Sequence, residues 1–140
     1  MSKLIFTTSQ DAEAAFYEAL ERGNLDAMMA VWAEDEEIIC VQPGGPRLIG
    51  YADIREAWNR IFKSGARLRI TLSEVTVVQT PFTAVHTLLE SVSVVGDDST
   101  RAPVVATNVY LRSPLGWRMI VHHASPAPPP VVPKAPQILH

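Results

Sequence analysis

The stretch WRMIVHHAS, Trp117 to Ser125, sets two histidines side by side at the end of an apolar run. Imidazole changes charge near neutral pH, so such a pair suits proton transfer, ligand binding or metal binding. On a regular strand, successive side chains point to opposite faces. Trp117, Met119, Val121, His123 and Ser125 then share one face, and Arg118, Ile120, His122 and Ala124 share the other. The two imidazoles therefore do not enter one pocket together. A metal site would need a third and a fourth ligand. His86 can converge with His123 from a neighbouring strand, and Glu90 lies on the same strand face as His86, but no carboxylate is clearly placed to join them. The expectation is a site with no metal and no cofactor. Cys40 is the single cysteine, which excludes an internal disulfide and a cysteine-based metal site. A lone thiol on an apolar strand reads as packing, with a nucleophile as the alternative. The four acids Glu34 to Glu37 read as a solvated helix end and turn.

The elements that must position these residues follow from periodicity. Thr8 and Asp11 have capping-box spacing, and Ala12, Phe16, Ala19 and Leu20 then recur at helical spacing until Gly23. Asn24 is a good N-cap for a second helix with Leu25, Met28, Met29 and Trp32 on its apolar side. Residues 37–42 read as a short strand and residues 43–46, PGGP, as a turn. A third helix carries Ile54, Trp58, Ile61 and Phe62 on one side and ends before Gly65. From Arg67 the period changes to two, giving four long strands separated by Pro81, by GDDS at residues 96–99 and by SPLG at residues 113–116. Three helices, one short strand and four long antiparallel strands make an α+β pattern: a curved sheet with helices over one face. The strands from Val92 onward are apolar on both sides, so the outer face is expected to pack on a second copy.

At 140 residues the chain suits one domain, placed at residues 1–125 and followed by a proline-rich tail at 126–140. That tail holds six of the eleven prolines, which favours polyproline II and resists helix or ladder. It reads as disordered, or as packed across a dimer. A net charge of −3 leaves no basic patch for nucleic acid. The N-terminal MSKLIFTTSQ is too short and polar for a signal peptide, and no apolar run approaches the roughly 20 residues of a membrane span. The expected location is the cytoplasm.

The order of ERGNLDAMMAVWAEDEEI, GGPRLIGYADIREAW and GWRMIVHHAS resembles the nuclear transport factor 2-like superfamily, closest to its SnoaL-like and ketosteroid-isomerase-like members, over about residues 8–125. The last strand also resembles that of the calcium/calmodulin-dependent protein kinase II association domain, in which Trp117, His123 and Ser125 find counterparts and Val121 stands where a first histidine would be. The resemblance implies a cone, with a curved, mainly antiparallel (mixed) sheet wrapping three N-terminal helices around an apolar pocket. It also implies that His123 and Ser125 point inward and that His122 lies on the outer, interface face. Steroid isomerases of this fold use an aspartate base with a tyrosine and a protonated aspartic acid. Here Phe16 stands in the tyrosine's place, Cys40 (or Val41 or Gln42 at a shifted register) in the base's place, and Asn108 in that of the second acid. Two further pocket tyrosines match Trp32 and Trp58. That excludes the steroid-isomerase mechanism. SnoaL-type cyclases, which can work with one acid/base group, fit better. The implied pocket has Phe16, Trp32, Cys40, Trp58 and Tyr110 as walls and His86 as a polar contact. His123 is its candidate acid/base and Asn108 the candidate donor to an oxyanion. The expected ligand or substrate is a small apolar or aromatic compound with a carbonyl or carboxylate, bound or acted on by a homodimer; an oligomerisation or interaction module without catalysis is the alternative.

Overall fold

In a computed structural model, which describes residues 5–97 and 103–128, α1 (Ser9–Arg22) begins where Thr8 caps it, its hydroxyl accepting the Asp11 N–H at 3.0 Å. Gly23 ends it in the left-handed conformation (φ 64°). The Asn24 side chain then caps α2 (Leu25–Val31) by accepting from Ala27 N–H at 3.0 Å. Trp32 lies one residue beyond this helix. β1 (Ile39–Val41) and β2 (Arg47–Ile49) form a small hairpin across the PGGP turn. The sequence pattern predicts only the first of these strands. α3 (Tyr51–Lys63) follows, then β3 (Leu68–Gln79), β4 (Thr83–Val94), β5 (Val104–Ser113) and β6 (Gly116–Pro126).

The six strands form one sheet in the order β2-β1-β6-β5-β4-β3. All neighbours are antiparallel except β1 and β6, which run parallel. The fold is thus α+β, an unclosed, curved mixed sheet wrapped around three helices. Two irregularities bend it. β3 carries one extra residue between Ser73 and Thr76, where Glu74 (φ 52°) and Val75 stand against Leu88 alone. β6 carries one extra residue, Ile120, because Val109 pairs with Val121 while Tyr110 pairs with Met119. Gly116 opens β6 at φ 89°, and a Cβ there would lie 2.7 Å from the Phe6 carbonyl oxygen, which accepts the Trp117 N–H at 2.8 Å. Only glycine lets the chain before α1 lie this close to β6.

The core fills the concave side. Its large members are Phe16, Met28, Trp32, Ile54, Trp58, Tyr110 and Met119, all at most 1 % exposed. Val95, Gly96 and Asp97 begin the β4–β5 turn; residues 98–102 lie outside the described residues, as does the tail from residue 129. No helix among the described residues is long and apolar enough to cross a membrane.

Candidate functional site

Three strands and one helix project polar side chains into an otherwise apolar interior. α1 contributes Ser9, Glu13 and Tyr17, spaced four apart and hence stacked on one helix face. β4 contributes His86 and Glu90, β5 Asn108 and Tyr110, and β6 His122. Tyr17, Tyr110 and the six other side chains are all buried, and among the described residues no Lys or Arg is buried with them.

These eight form one continuous hydrogen-bonded system. His86 Nδ1 lies 2.9 Å from Glu13 Oε2, and His86 Nε2 lies 2.9 Å from Ser9 Oγ. With Nδ1–H donating to the carboxylate, Nε2 is left to accept from the serine hydroxyl. Tyr110 O–H donates to the same Glu13 oxygen at 3.1 Å, and Asn108 Nδ2 reaches it at 3.4 Å. Asn108 Nδ2 also donates to the Tyr17 oxygen at 3.0 Å, and Tyr17 O–H donates to Glu90 Oε2 at 2.6 Å. On its other side, Asn108 Oδ1 accepts from His122 Nδ1–H at 2.6 Å. The Asn108 amide therefore both donates and accepts, and its orientation is fixed by its neighbours.

The aromatic half of the interior meets this system at His122. Phe16 sits 4.8 Å from the His122 ring, 5.8 Å from Trp58 and 6.4 Å from Trp32, centroid to centroid. The Nε1 atoms of Trp32 and Trp58 are buried without a hydrogen-bond partner. A buried donor left unpaired costs about 1–3 kcal/mol, so both indoles stand out against the hydrogen-bonded polar groups beside them.

Burial governs the electrostatics. It lowers the His122 imidazole to about 3, with the neighbouring His123 adding to the effect, so His122 is neutral at neutral pH. With Nδ1–H donated to Asn108, its Nε2 carries the lone pair. Burial raises the Glu90 carboxyl above its ordinary range; the Tyr17 hydrogen bond works against this and the Glu13 charge adds to it. Burial, together with nearby glutamates, pushes the Tyr17 and Tyr110 phenols far up, and both remain O–H donors. The Cys40 thiol is buried and pushed up to about 12, which leaves it a packing group with too little thiolate to act as a nucleophile.

The structure brings together seven of the eight residues singled out from sequence: Phe16, Trp32, Cys40, Trp58, His86, Asn108 and Tyr110 all lie in the buried interior. The eighth, His123, is exposed on the outer face, opposite Thr107. His122, expected outside, is 2 % exposed and faces inward, and Ser125 pairs with the outer-face residue Val105. The cause is the extra residue at Ile120. Trp117 and Met119 face inward as expected; the bulge then reverses the alternation, so that His122 and Ala124 follow them. Three members of the buried system, Ser9, Glu13 and Tyr17, are not among the residues that the sequence singles out. Their signal is the four-residue spacing beside the apolar stripe Ala12, Phe16, Ala19. Among the described residues, no three His, Cys, Asp or Glu side chains converge to hold a metal ion.

The family profile described as "SnoaL-like domain" matches residues 10–129. Among solved structures, the chain is similar to one from Thiobacillus denitrificans described as a calcium/calmodulin-dependent protein kinase type II association domain. The two are 37% identical with a TM-score of 0.83, over 89% of this chain and 99% of that one. It is also similar to a Streptomyces avermitilis protein described as a dehydratase of the NTF2-like family: 34% identity, TM-score 0.77, covering 85% of this chain and 93% of that one. An NTF2-like protein of unknown function from Pseudomonas putida shares the fold at 18% identity and a TM-score of 0.76, over 84% and 82% of the two chains. No curated protein matches the chain. The conical sheet, the three helices within it and these matches agree: the chain belongs to the SnoaL-like domain family of the nuclear transport factor 2-like superfamily.

Proposed function

We propose that this protein binds a small aromatic compound carrying a carbonyl or carboxylate inside its cone, with acid–base chemistry available at that site. The observation that carries this reading is the buried polar system running from Ser9 to Glu90. Two carboxyl groups and two imidazoles, with no buried Lys or Arg among the described residues, are poor devices for stability, because desolvation costs more than such contacts return. Interiors of this kind are found where chemistry or ligand recognition requires them. The division of labour differs from the sequence expectation. At about 3, His122 is a hydrogen-bond acceptor and a weak base; Glu90, whose carboxyl is raised by burial and accepts from the Tyr17 hydroxyl, is the proton carrier. Asn108 links the two and presents the amide that would orient a carbonyl.

A thermal-shift screen tests this with aromatic aldehydes, ketones and carboxylates, run on the native chain and on Glu90→Gln and His122→Gln. A ligand at 100 times its dissociation constant should add about 2.7 kcal/mol, a rise of several degrees in a domain of this size. Stabilisation that weakens in either variant supports the reading; a broad series without any stabilisation refutes it.

The second reading is an oligomerisation or interaction module without catalysis. It is favoured by the outer sheet face, where Val78, Val85, Leu89, Val105, Val109 and Val121 lie on the side away from the helices. A homodimer through that face is part of both readings, as are a cytoplasmic location and the lack of nucleic-acid and membrane partners. Sedimentation equilibrium of the native chain and of Val109→Asp separates dimer from monomer.

A further inference from the structure

Outside the cone, a cleft of about 840 Å³ opens between α2, the start of α3 and the β5–β6 hairpin. That volume suits a drug-sized molecule. Met29 and Trp32 line it from the core side, both almost fully buried. Leu111 and Leu115 line it from the hairpin and are 41 % and 52 % exposed. Tyr51 and Arg55 stand one turn apart on α3, close enough for their side chains to act on one group.

The charges in the cleft are not equivalent. Asp35 is engaged, its Oδ1 accepting the Glu37 N–H at 2.9 Å. Asp26 sits in the first turn of α2, where the helix dipole favours a negative charge. Glu34 acts electrostatically on Arg118, whose guanidinium lies 5.2 Å from the Phe6 ring centroid and donates to the Trp117 carbonyl at 3.0 Å. Arg55 and the Tyr51 hydroxyl differ: among the described residues neither makes a hydrogen bond or an ion pair, although the Tyr51 hydroxyl lies in the opposing fields of Glu34 and Asp26, which raise it, and of Arg55, which lowers it. A guanidinium and a phenol, both uncommitted, stand side by side at the rim of an apolar slot.

The geometry points to a second ligand site here, one for a small aromatic monocarboxylate. The ring lies between the hairpin leucines and the Met29–Trp32 wall, and the carboxylate takes the Arg55 guanidinium and the Tyr51 hydroxyl. An Arg–carboxylate contact is charge-assisted and bidentate, which gives the site its preference for a planar anion. This cleft shares Trp32 with the aromatic half of the cone interior, but no member of the buried polar system lines it.

The test is calorimetric titration of the full chain with phenylacetate, phenylacetamide and phenethylamine, repeated on Arg55→Gln, Tyr51→Phe and Arg60→Gln. Arg55 is exposed and Tyr51 half-buried, so these variants keep the core intact. Arg60 pairs with Glu56 on the same helix outside the cleft and controls for the loss of one charge. Phenylacetate should bind, the neutral amide at least tenfold more weakly. Arg55→Gln should lose at least tenfold, Tyr51→Phe a few-fold and Arg60→Gln nothing. Three results would overturn the assignment: no binding of phenylacetate at millimolar concentration, equal affinity for acid and amide, or unchanged affinity in Arg55→Gln. Preference for the amine would overturn it too, by showing that the acidic residues dominate the cleft.

Discussion

Replacing His122 with glutamine should flatten the acid limb of the protein's stability curve. The imidazole is 2 % exposed and held at about 3, against 6.5 for a free histidine. Between those values the unfolded chain takes up a proton that the folded chain refuses, so stability rises with pH across the window from about 3 to 6.5 and is fully present above it. At roughly 1.4 kcal/mol per pH unit, the gap amounts to about 5 kcal/mol at its full extent. That is a large share of the 5–15 kcal/mol by which a typical domain is stable. Glutamine keeps an N–H for Asn108 Oδ1 but does not titrate. Glu90, with a raised carboxyl, acts in the opposite sense, so the useful quantity is the difference between native and variant curves. Urea unfolding of both proteins from pH 3.5 to 7.5 gives it. The native protein should lose stability relative to the variant by close to one proton's worth per pH unit between pH 6 and 4. Parallel curves would refute the reasoning. So would a His122 imidazole seen by NMR to titrate between pH 6 and 7 in the folded chain.

Glu90→Gln should gain stability relative to the native protein as pH rises, because burial raises the native carboxyl and disfavours its ionisation in the folded chain; thermal melts at pH 4.5 and pH 8 check the sign, and a variant hurt more at pH 8 than at pH 4.5 contradicts it. Gly116→Ala combines positive φ with a Cβ 2.7 Å from the Phe6 oxygen and should cost about 2 kcal/mol or more, whereas Gly44→Ala, at φ 74° with open space around it, should cost only about 1 kcal/mol; equal urea midpoints for the two would refute the close approach. Asn108→Asp exchanges two N–H donors for at most one proton and leaves Glu13 or Tyr17 short of a partner, so it should lose roughly 2 kcal/mol at pH 7.5 and recover part of that as pH falls and the new carboxyl protonates; a loss independent of pH would count against this bonding scheme.

Periodicity made the helices and long strands legible because their apolar spacings are regular and their ends carry side chains with the right capping chemistry. Thr8, Asn24 and Gly23 all act where their residue types suggested. β2 escaped because three residues, Arg47 to Ile49, are too few to show alternation. The inward set on β4 and β5 was legible for the same reason as the strands. The inward set on β6 was not. A single inserted residue leaves no mark on composition or hydropathy, yet it moves every later side chain to the other face. The histidine assigned to the interior was the wrong member of the pair for that reason alone. Only pairing with β5, a long-range contact, reveals the insertion.

The same displacement by one position occurs on α1, with a different consequence. Phe16 stands where the resemblance to steroid isomerases places a catalytic tyrosine, and the next residue, Tyr17, carries the hydroxyl. One residue turns a helix by about 100°. The Phe16 ring thus joins Trp32, Trp58 and His122, while the Tyr17 hydroxyl reaches Asn108 and Glu90 on the neighbouring strands. The interior is thereby divided into an aromatic compartment without a titrating acid and a polar compartment holding both glutamates. Asn108 bonds across the division, to His122 on one side and to Tyr17 and Glu13 on the other. A ligand seated against the aromatic rings would therefore exchange protons with Glu90 only through the Tyr17 hydroxyl, whereas its carbonyl could be oriented directly by the amide and the imidazole. On this arrangement, loss of the Tyr17 hydroxyl should slow proton exchange more than it weakens binding, and loss of the Asn108 amide should do the reverse.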